Sequence, residues 1–215
     1  ACRLMAMPRT RPGRNLCGAW ILAVGLASPV LSSGGLGADG PCDELPQAKA
    51  LIRKGDLPSA RRALEACVVA DPRGAEGWLT LGLVHFAERH FDEAAVALET
   101  SLERDARQSR AFKMLGRVQT ARAKPALAER AFVEAARLDP ADAEARYLLG
   151  RLYQSEDRLV EAARFLKEAL ALDPASVRAL AFLGTVAYGL GDTALCQESF
   201  QRALSLNRAS KAPDA

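Results

Sequence analysis

Residues 143–176 read AEARYLLGRLYQSEDRLVEAARFLKEALALDPAS, and the frame of this stretch recurs along the chain. Its Leu149-Gly150 pair reappears as Leu81-Gly82, Leu115-Gly116 and Leu183-Gly184, at a spacing of 34 residues each time. Twelve residues after each glycine stands Ala94, Ala128, Ala162 or Cys196, and nineteen after it Ser101, Ala135, Ala169 or Ala203, all of them small. Between these fall Leu98, Phe132, Leu166 and Phe200, while Asp139-Pro140 and Asp173-Pro174 close two of the units. A weaker upstream copy keeps the phase with Ala48, Ala60, Leu64, Cys67 and Asp71-Pro72. A fixed period of this length marks a repeat array. The chain therefore divides, without insertion or deletion, into a degenerate unit 41–74 and units 75–108, 109–142, 143–176 and 177–210, preceded by residues 1–40 and followed by a tail, 211–215.

Within each unit the apolar residues recur at helical spacing in two blocks, separated by short breaks such as Lys54-Gly55 and Gly191-Asp192. Each unit is predicted to be a helix, a turn and a second helix. Small residues on the facing sides let the two helices cross closely, with Leu or Phe filling the space toward the next unit. Proline near the end of a unit is expected to stop the second helix, since it lacks an N–H and clashes with the preceding turn. One such pair buries too little surface to fold alone, so the units must stack into one continuous core. Composition agrees: 49% hydrophobic and 26% charged residues with only 6% aromatics, and few β-branched runs, exclude an all-β fold.

These residues resemble the tetratricopeptide repeat (TPR) family, whose 34-residue pattern runs W-x2-L-G-x2-Y, then A-x3-F, then A and P. Unit two supplies Trp78, Leu81, Gly82, Ala94, Leu98 and Ser101, with His85 at the usual tyrosine place and Ala106 at that of proline. Unit three supplies Phe112, Leu115, Gly116, Ala128, Phe132, Ala135 and Pro140, and unit four Leu149, Gly150, Tyr153, Ala162, Leu166, Ala169 and Pro174. Unit one departs furthest, with Glu44, Gln47 and Ala48 at the Trp, Leu and Gly places. The resemblance implies an all-α, right-handed superhelical solenoid of antiparallel helix pairs. It says little about function, because this fold serves many unrelated partners.

The leader carries its own signal. Arg3, Arg9, Arg11 and Arg14 precede an apolar run from Leu16 to Leu31, followed by the small residues SSGGLGA. That is the layout of a secretory signal, which places the protein outside the cytoplasm, in a periplasm or the extracellular space. An uncleaved membrane anchor and an organelle transit peptide are the alternatives. Residues 1–40 hold four Arg and one Asp, so the remaining chain carries 25 basic and 25 acidic residues, and the net +3 belongs to the leader. A neutral body argues against nucleic acid as a partner. Gly35, Gly37 and Gly40 spell G-x-G-x-x-G, but with no strand before and Pro41 after they do not read as a dinucleotide site.

No nucleophile elbow, phosphate loop or zinc cysteine pair is present, so no catalytic residue, cofactor or metal is expected. The two histidines, His85 and His90, are too few for most metal sites, and their spacing of five puts them off a common helix face; His85 occupies a core place and reads as a packed, hydrogen-bonded residue. Cys42 is expected to start the first helix of unit one and Cys67 to lie near the end of its antiparallel partner. The two are then neighbours, forming a disulfide if the protein is exported or two buried thiols if it is not. Cys196 takes a place held by Ala in the sister units and reads as a small core residue.

In the family, the first helices of the units line a concave face that commonly binds peptides. The corresponding places here are Lys49, Arg53, Leu79, Leu83, Phe86, Arg110, Lys113, Arg117, Tyr147, Arg151, Arg178 and Tyr188, with Gln154 and Thr185 beside them. Seven of these are basic, against Glu76 and Glu144 alone on the acidic side. A segregated positive groove suggests an extended, acidic protein segment held by Arg forks and an apolar patch at Leu79, Leu83 and Phe86; solvated helix faces are the bland alternative. The Lys-plus-Asn clamp of chaperone-binding members is not matched, since Arg117 stands where Asn would be needed after Lys113. The expected roles are a non-enzymatic scaffold for an envelope or secretory complex or, alternatively, a holdase-like chaperone. A membrane tether through the leader and weak self-association through the last helix are further expectations.

Overall fold

The computed structural model describes residue 42 and residues 44–209. The leader and the tail lie outside the described residues. Five helix pairs follow one another: α1 (Leu45–Lys54) with α2 (Leu57–Ala70), α3 (Ala75–Ala87) with α4 (Phe91–Arg104), α5 (Ser109–Ala121) with α6 (Pro125–Leu138), α7 (Ala143–Ser155) with α8 (Leu159–Leu172), and α9 (Val177–Gly189) with α10 (Thr193–Ala209). Helices α3, α5, α7 and α9 start within two residues of one another in the repeat frame, as the phased glycines predict. Unit one differs, because α1 begins only at Leu45. Cys42 therefore precedes the helix rather than starting it. It is joined to Cys67 of α2 by a disulfide with Cα atoms 5.5 Å apart. Closing this loop contributes about 3 kcal/mol in the chain-entropy account.

Each second helix except α10 ends on an aspartate whose carboxylate accepts the N–H two residues on: Asp71 from Arg73, Asp105 from Arg107, Asp139 from Ala141 and Asp173 from Ala175. Unit two has Ala106 where the others have proline, and α4 stops at the same place. The stop shared by these units is thus the Asx turn rather than the expected proline.

Each first helix ends in a Schellman cap. The residue past the cap is left-handed: Gly55, Arg89, Ala123, Asp157 and Gly191 have φ between 55° and 81°. The next residue donates its N–H back to a carbonyl five positions earlier, as from Arg158 to Tyr153 and from His90 to His85, both at 2.8 Å. The turn folds those two side chains over one another, so Arg158 lies 4.2 Å from the centre of the Tyr153 ring. The His85 and His90 rings likewise approach to 6.1 Å. The expectation that a spacing of five separates the histidines is overturned, because the helix ends between them.

In the core, the glycine of each of units two to five faces the large residue sixteen positions on. A Cβ at Gly82 or Gly150 would stand 2.7 Å from Leu98 or Leu166, and one at Gly116 would strike the Phe132 ring. Leu98, Phe132 and Leu166 rest on the glycine of their own unit, and all three are buried. Neighbouring units complete the burial: Leu98 shares a cluster with Ala111 and Val118 of α5, and Phe132 one with Leu148 and Leu149 of α7. Past α10 no described element follows, which leaves Phe200 37% and Leu204 54% exposed. For the same reason Cys196 is half-buried rather than a core residue.

Tyr153 ties unit four to unit three, donating its hydroxyl to Glu129 at 2.7 Å. Burial, and then that bond to a carboxylate, push its phenol from 10.0 up to about 12. A pKa raised in the folded state contributes stability that is complete below the unfolded value and is lost as pH rises toward the folded one. Tyr153→Phe is therefore expected to remove a step near pH 12 from the phenolate absorbance titration and to flatten the loss of stability between pH 10 and 12.

Candidate functional site

The first helices of adjacent units touch directly, α1 with α3, α3 with α5 and α7 with α9. They form the inner face of the array, and along it three hollows adjoin. The first, about 310 Å³, lies between α1 and α3 and is lined by Lys49, Arg53, Thr80, Leu83 and, from α5, Arg110. The second, about 490 Å³, is lined by Leu83, Phe86, Arg110, Lys113, Met114 and Arg117 and rimmed by Asp142 and Glu144. The third, about 300 Å³, takes Phe86 and Arg117 together with Leu148, Arg151 and Leu152. Leu83 and Arg110 belong to the first two, Phe86 and Arg117 to the last two, so the hollows form one groove across units one to four.

The basic residues of this face fall into two groups. Lys49 is bound to Glu76 at 2.9 Å, and Lys113 to Asp142 at 2.7 Å and Glu144 at 2.8 Å. Burial pulls the Lys113 ammonium down, but its bonds to the two carboxylates outweigh that and leave it above its ordinary value. Both lysines are paired within the array, and Asp142 makes the positive excess of this face smaller than the sequence suggests. The unforeseen partner is Asp142, which the sequence marks only as the residue before α7. One carboxylate oxygen caps α7 by accepting from the Glu144 and Ala145 N–H groups, and the other holds Lys113.

Arg53, Arg110, Arg117, Arg151 and Arg178 behave differently. Among the described residues none of them pairs with a carboxylate. Three are stacked on aromatic rings instead. Arg117 lies 5.2 Å from the centre of Phe86, Arg151 5.1 Å from Phe182 and 5.7 Å from Tyr147, and Arg178 5.3 Å from Tyr147. Stacking occupies the flat face of a guanidinium and leaves its N–H edge available for a planar anion.

Three expected groove residues are corrected. Leu79 is 2% exposed and packs with Leu98, Ala111 and Met114, because the N-terminal half of α3 runs beneath α5. Only Leu83 and Phe86 of that apolar stripe reach the groove. Tyr147 is also buried; its ring meets Phe182 edge-on and forms a floor under Arg151 and Arg178. Tyr188 is 77% exposed and lines none of the three hollows. Phe182 was missed by the sequence reading; its place next to Leu183-Gly184 is the signal that marks it as a neighbour of the inner face.

Residues 87–212 match the family described as the cytochrome c-type biogenesis protein H TPR domain. The chain belongs to this family. A general tetratricopeptide repeat family also matches residues 45–110, which brings the degenerate unit one into the same frame. The fold of this TPR domain of the cytochrome c-type biogenesis protein H family is shared by solved TPR structures. A crystal structure of MamA superposes with a TM-score of 0.71 at 24% identity, covering 76% of this chain and 95% of that one. MamA from Desulfovibrio magneticus RS-1 gives 0.72 at 21%, covering 80% and 100%. YrrB, a TPR protein with an unusual peptide-binding site, gives 0.64 at 22%, covering 80% and 93%. At these identities the likeness concerns the fold alone. Peroxisome biogenesis protein 5 of Arabidopsis thaliana is 44% identical over 55 residues, which span 26% of this chain and only 7% of that protein. Among the described residues no helix is long and apolar enough to cross a membrane.

Proposed function

We propose that the inner groove docks an extended, acidic segment of a partner protein, and that the chain is a non-enzymatic interaction scaffold. The observation carrying this reading is the pair of groove arginines Arg117 and Arg151, with Arg178 beside them on the Tyr147 ring, all held against aromatic rings and paired with no carboxylate among the described residues. Guanidinium forks so presented recognise carboxylates through paired charge-assisted hydrogen bonds. Leu83 and Phe86 add an apolar patch for a side chain between two acidic positions. The peptide-binding site of YrrB, on the same fold, supports the use of such an array for peptides. The family name supports a place in cytochrome c-type biogenesis, with the array holding a component of that assembly. Export is supported by the charge layout of the leader and by the Cys42–Cys67 disulfide, a bond that persists in oxidising compartments.

The test is fluorescence anisotropy with a labelled acidic peptide containing an apolar residue and with its Glu→Gln counterpart. The acidic peptide is expected to bind at least about tenfold more tightly, and the difference to shrink as ionic strength rises. Equal binding of the two peptides would sink the proposal. Suppressed aggregation of many unrelated unfolded proteins, without such discrimination, would favour the holdase instead.

A further inference from the structure

Both histidines of the chain meet at the turn between α3 and α4. His85 lies in the last turn of α3, Glu88 caps that helix, and His90 is the N-cap of α4. One ligand atom from each of the three lies within 4.8 Å of the other two. The Schellman cap holds this arrangement, with Arg89 at φ 66° and the His90 N–H bound to the His85 carbonyl. His85 Nδ1 is buried without a hydrogen-bond partner, whereas buried polar atoms ordinarily have one. His90 Nδ1 stands 3.6 Å from a Glu88 oxygen, and its side chain is 51% exposed, so the cluster opens to solvent.

We propose that His85, Glu88 and His90 bind a divalent transition-metal ion such as zinc, with two imidazoles and one carboxylate as protein ligands. Imidazole nitrogens select first-row transition ions over calcium and magnesium, which prefer all-oxygen surroundings. Three protein ligands and an open position fit a zinc shell whose bonds are about 2.0–2.2 Å long. The donors already lie within 4.8 Å of one another, and the exposed His90 ring is the one free to turn toward an ion. Arg61 Nε donates at 3.1 Å to the same Glu88 oxygen that faces His90 and so holds the carboxylate in the cluster, while Glu65 tethers the same guanidinium at 2.9 Å. A carboxylate ligand held from behind in this way is the usual outer-shell arrangement of metal sites. The turn alone does not create the site, because the paired places hold Gln119 with Lys124 in unit three and Tyr153 with Arg158 in unit four. A bound ion would stitch the end of α3 to the start of α4.

The experiment is a zinc titration of the full chain, followed by nuclear magnetic resonance of the imidazole groups and by calorimetry. Because the chain has two histidines and both are in the cluster, every imidazole signal reports on it. Both rings are expected to shift together, with saturation at one ion per chain. His90→Gln and Glu88→Gln should each weaken binding at least about tenfold. His90→Gln decides the matter, since that half-exposed side chain can be lost without disturbing the core, which circular dichroism of the metal-free protein checks. A response from one ring only, or His90→Gln binding zinc as tightly as the parent, overturns the site and points to Cys196 or scattered carboxylates.

Discussion

Gly150→Val is expected to destabilise the array by about 3 kcal/mol or more. A Cβ at this position would stand 2.7 Å from Leu166 Cγ, 3.0 Å from its Cδ2 and 3.3 Å from the Ala162 carbonyl oxygen. Leu166 is itself completely buried, so it has no empty space to retreat into. Gly150→Ala adds only the first atom and regains helix propensity of up to about 1 kcal/mol, so its net cost is roughly 1–2 kcal/mol. The companion change Leu166→Ala should rescue Gly150→Val in part, because the two side chains compete for one volume and their effects are coupled. Gly77→Ala provides the contrast. Its Cβ meets Cys67 and Val68 at 3.5 Å, an ordinary contact, and the substitution should be neutral or slightly stabilising. Urea unfolding of the four variants measures all of this. Equal stabilities for Gly150→Val and Gly77→Ala would show that the glycines are not set by helix crossing.

The double substitution Arg117→Glu with Arg151→Glu should weaken acidic-peptide binding more than about 100-fold. Each arginine offers a charge-assisted pair of about 1.5–3 kcal/mol, and each glutamate adds repulsion where attraction stood. The fold should survive, because both side chains are exposed and neither pairs with a carboxylate among the described residues; what is lost is stacking on Phe86, Tyr147 and Phe182. Lys113 needs a different expectation. Lys113→Met leaves Asp142 and Glu144 facing each other without their cation, so it should lower stability more than binding. Anisotropy for binding and thermal melts for stability separate the two. Unchanged affinity in the double arginine variant would remove the groove as the docking site.

Much of this molecule can be read before any coordinate is known. The 34-residue phase of Gly82, Gly116, Gly150 and Gly184 locates the first helix of four units to within two residues. Local chemistry is enough there: helical periodicity and a small residue at each crossing depend on neighbours only a few positions away. The groove was legible in part. Arg53, Leu83, Phe86, Arg110, Arg117 and Arg151 do line the inner hollows, since a repeat puts equivalent places on one face.

What the chain alone determined, then, is the helix pair, its phase and the small-to-large contact at its centre, because these arise within one unit. Only the stacked structure decided which inner-face residues are free. Leu79 disappears under α5, Lys113 is neutralised by an aspartate 29 positions away, and Tyr147 becomes a floor for two arginines. The same holds for His85 and His90, which are separated by helical periodicity and reunited by the left-handed turn at Arg89. Burial and pairing between units depend on how far each helix pair is rotated over the last. That rotation is a property of the packed side chains together and is written at no single position.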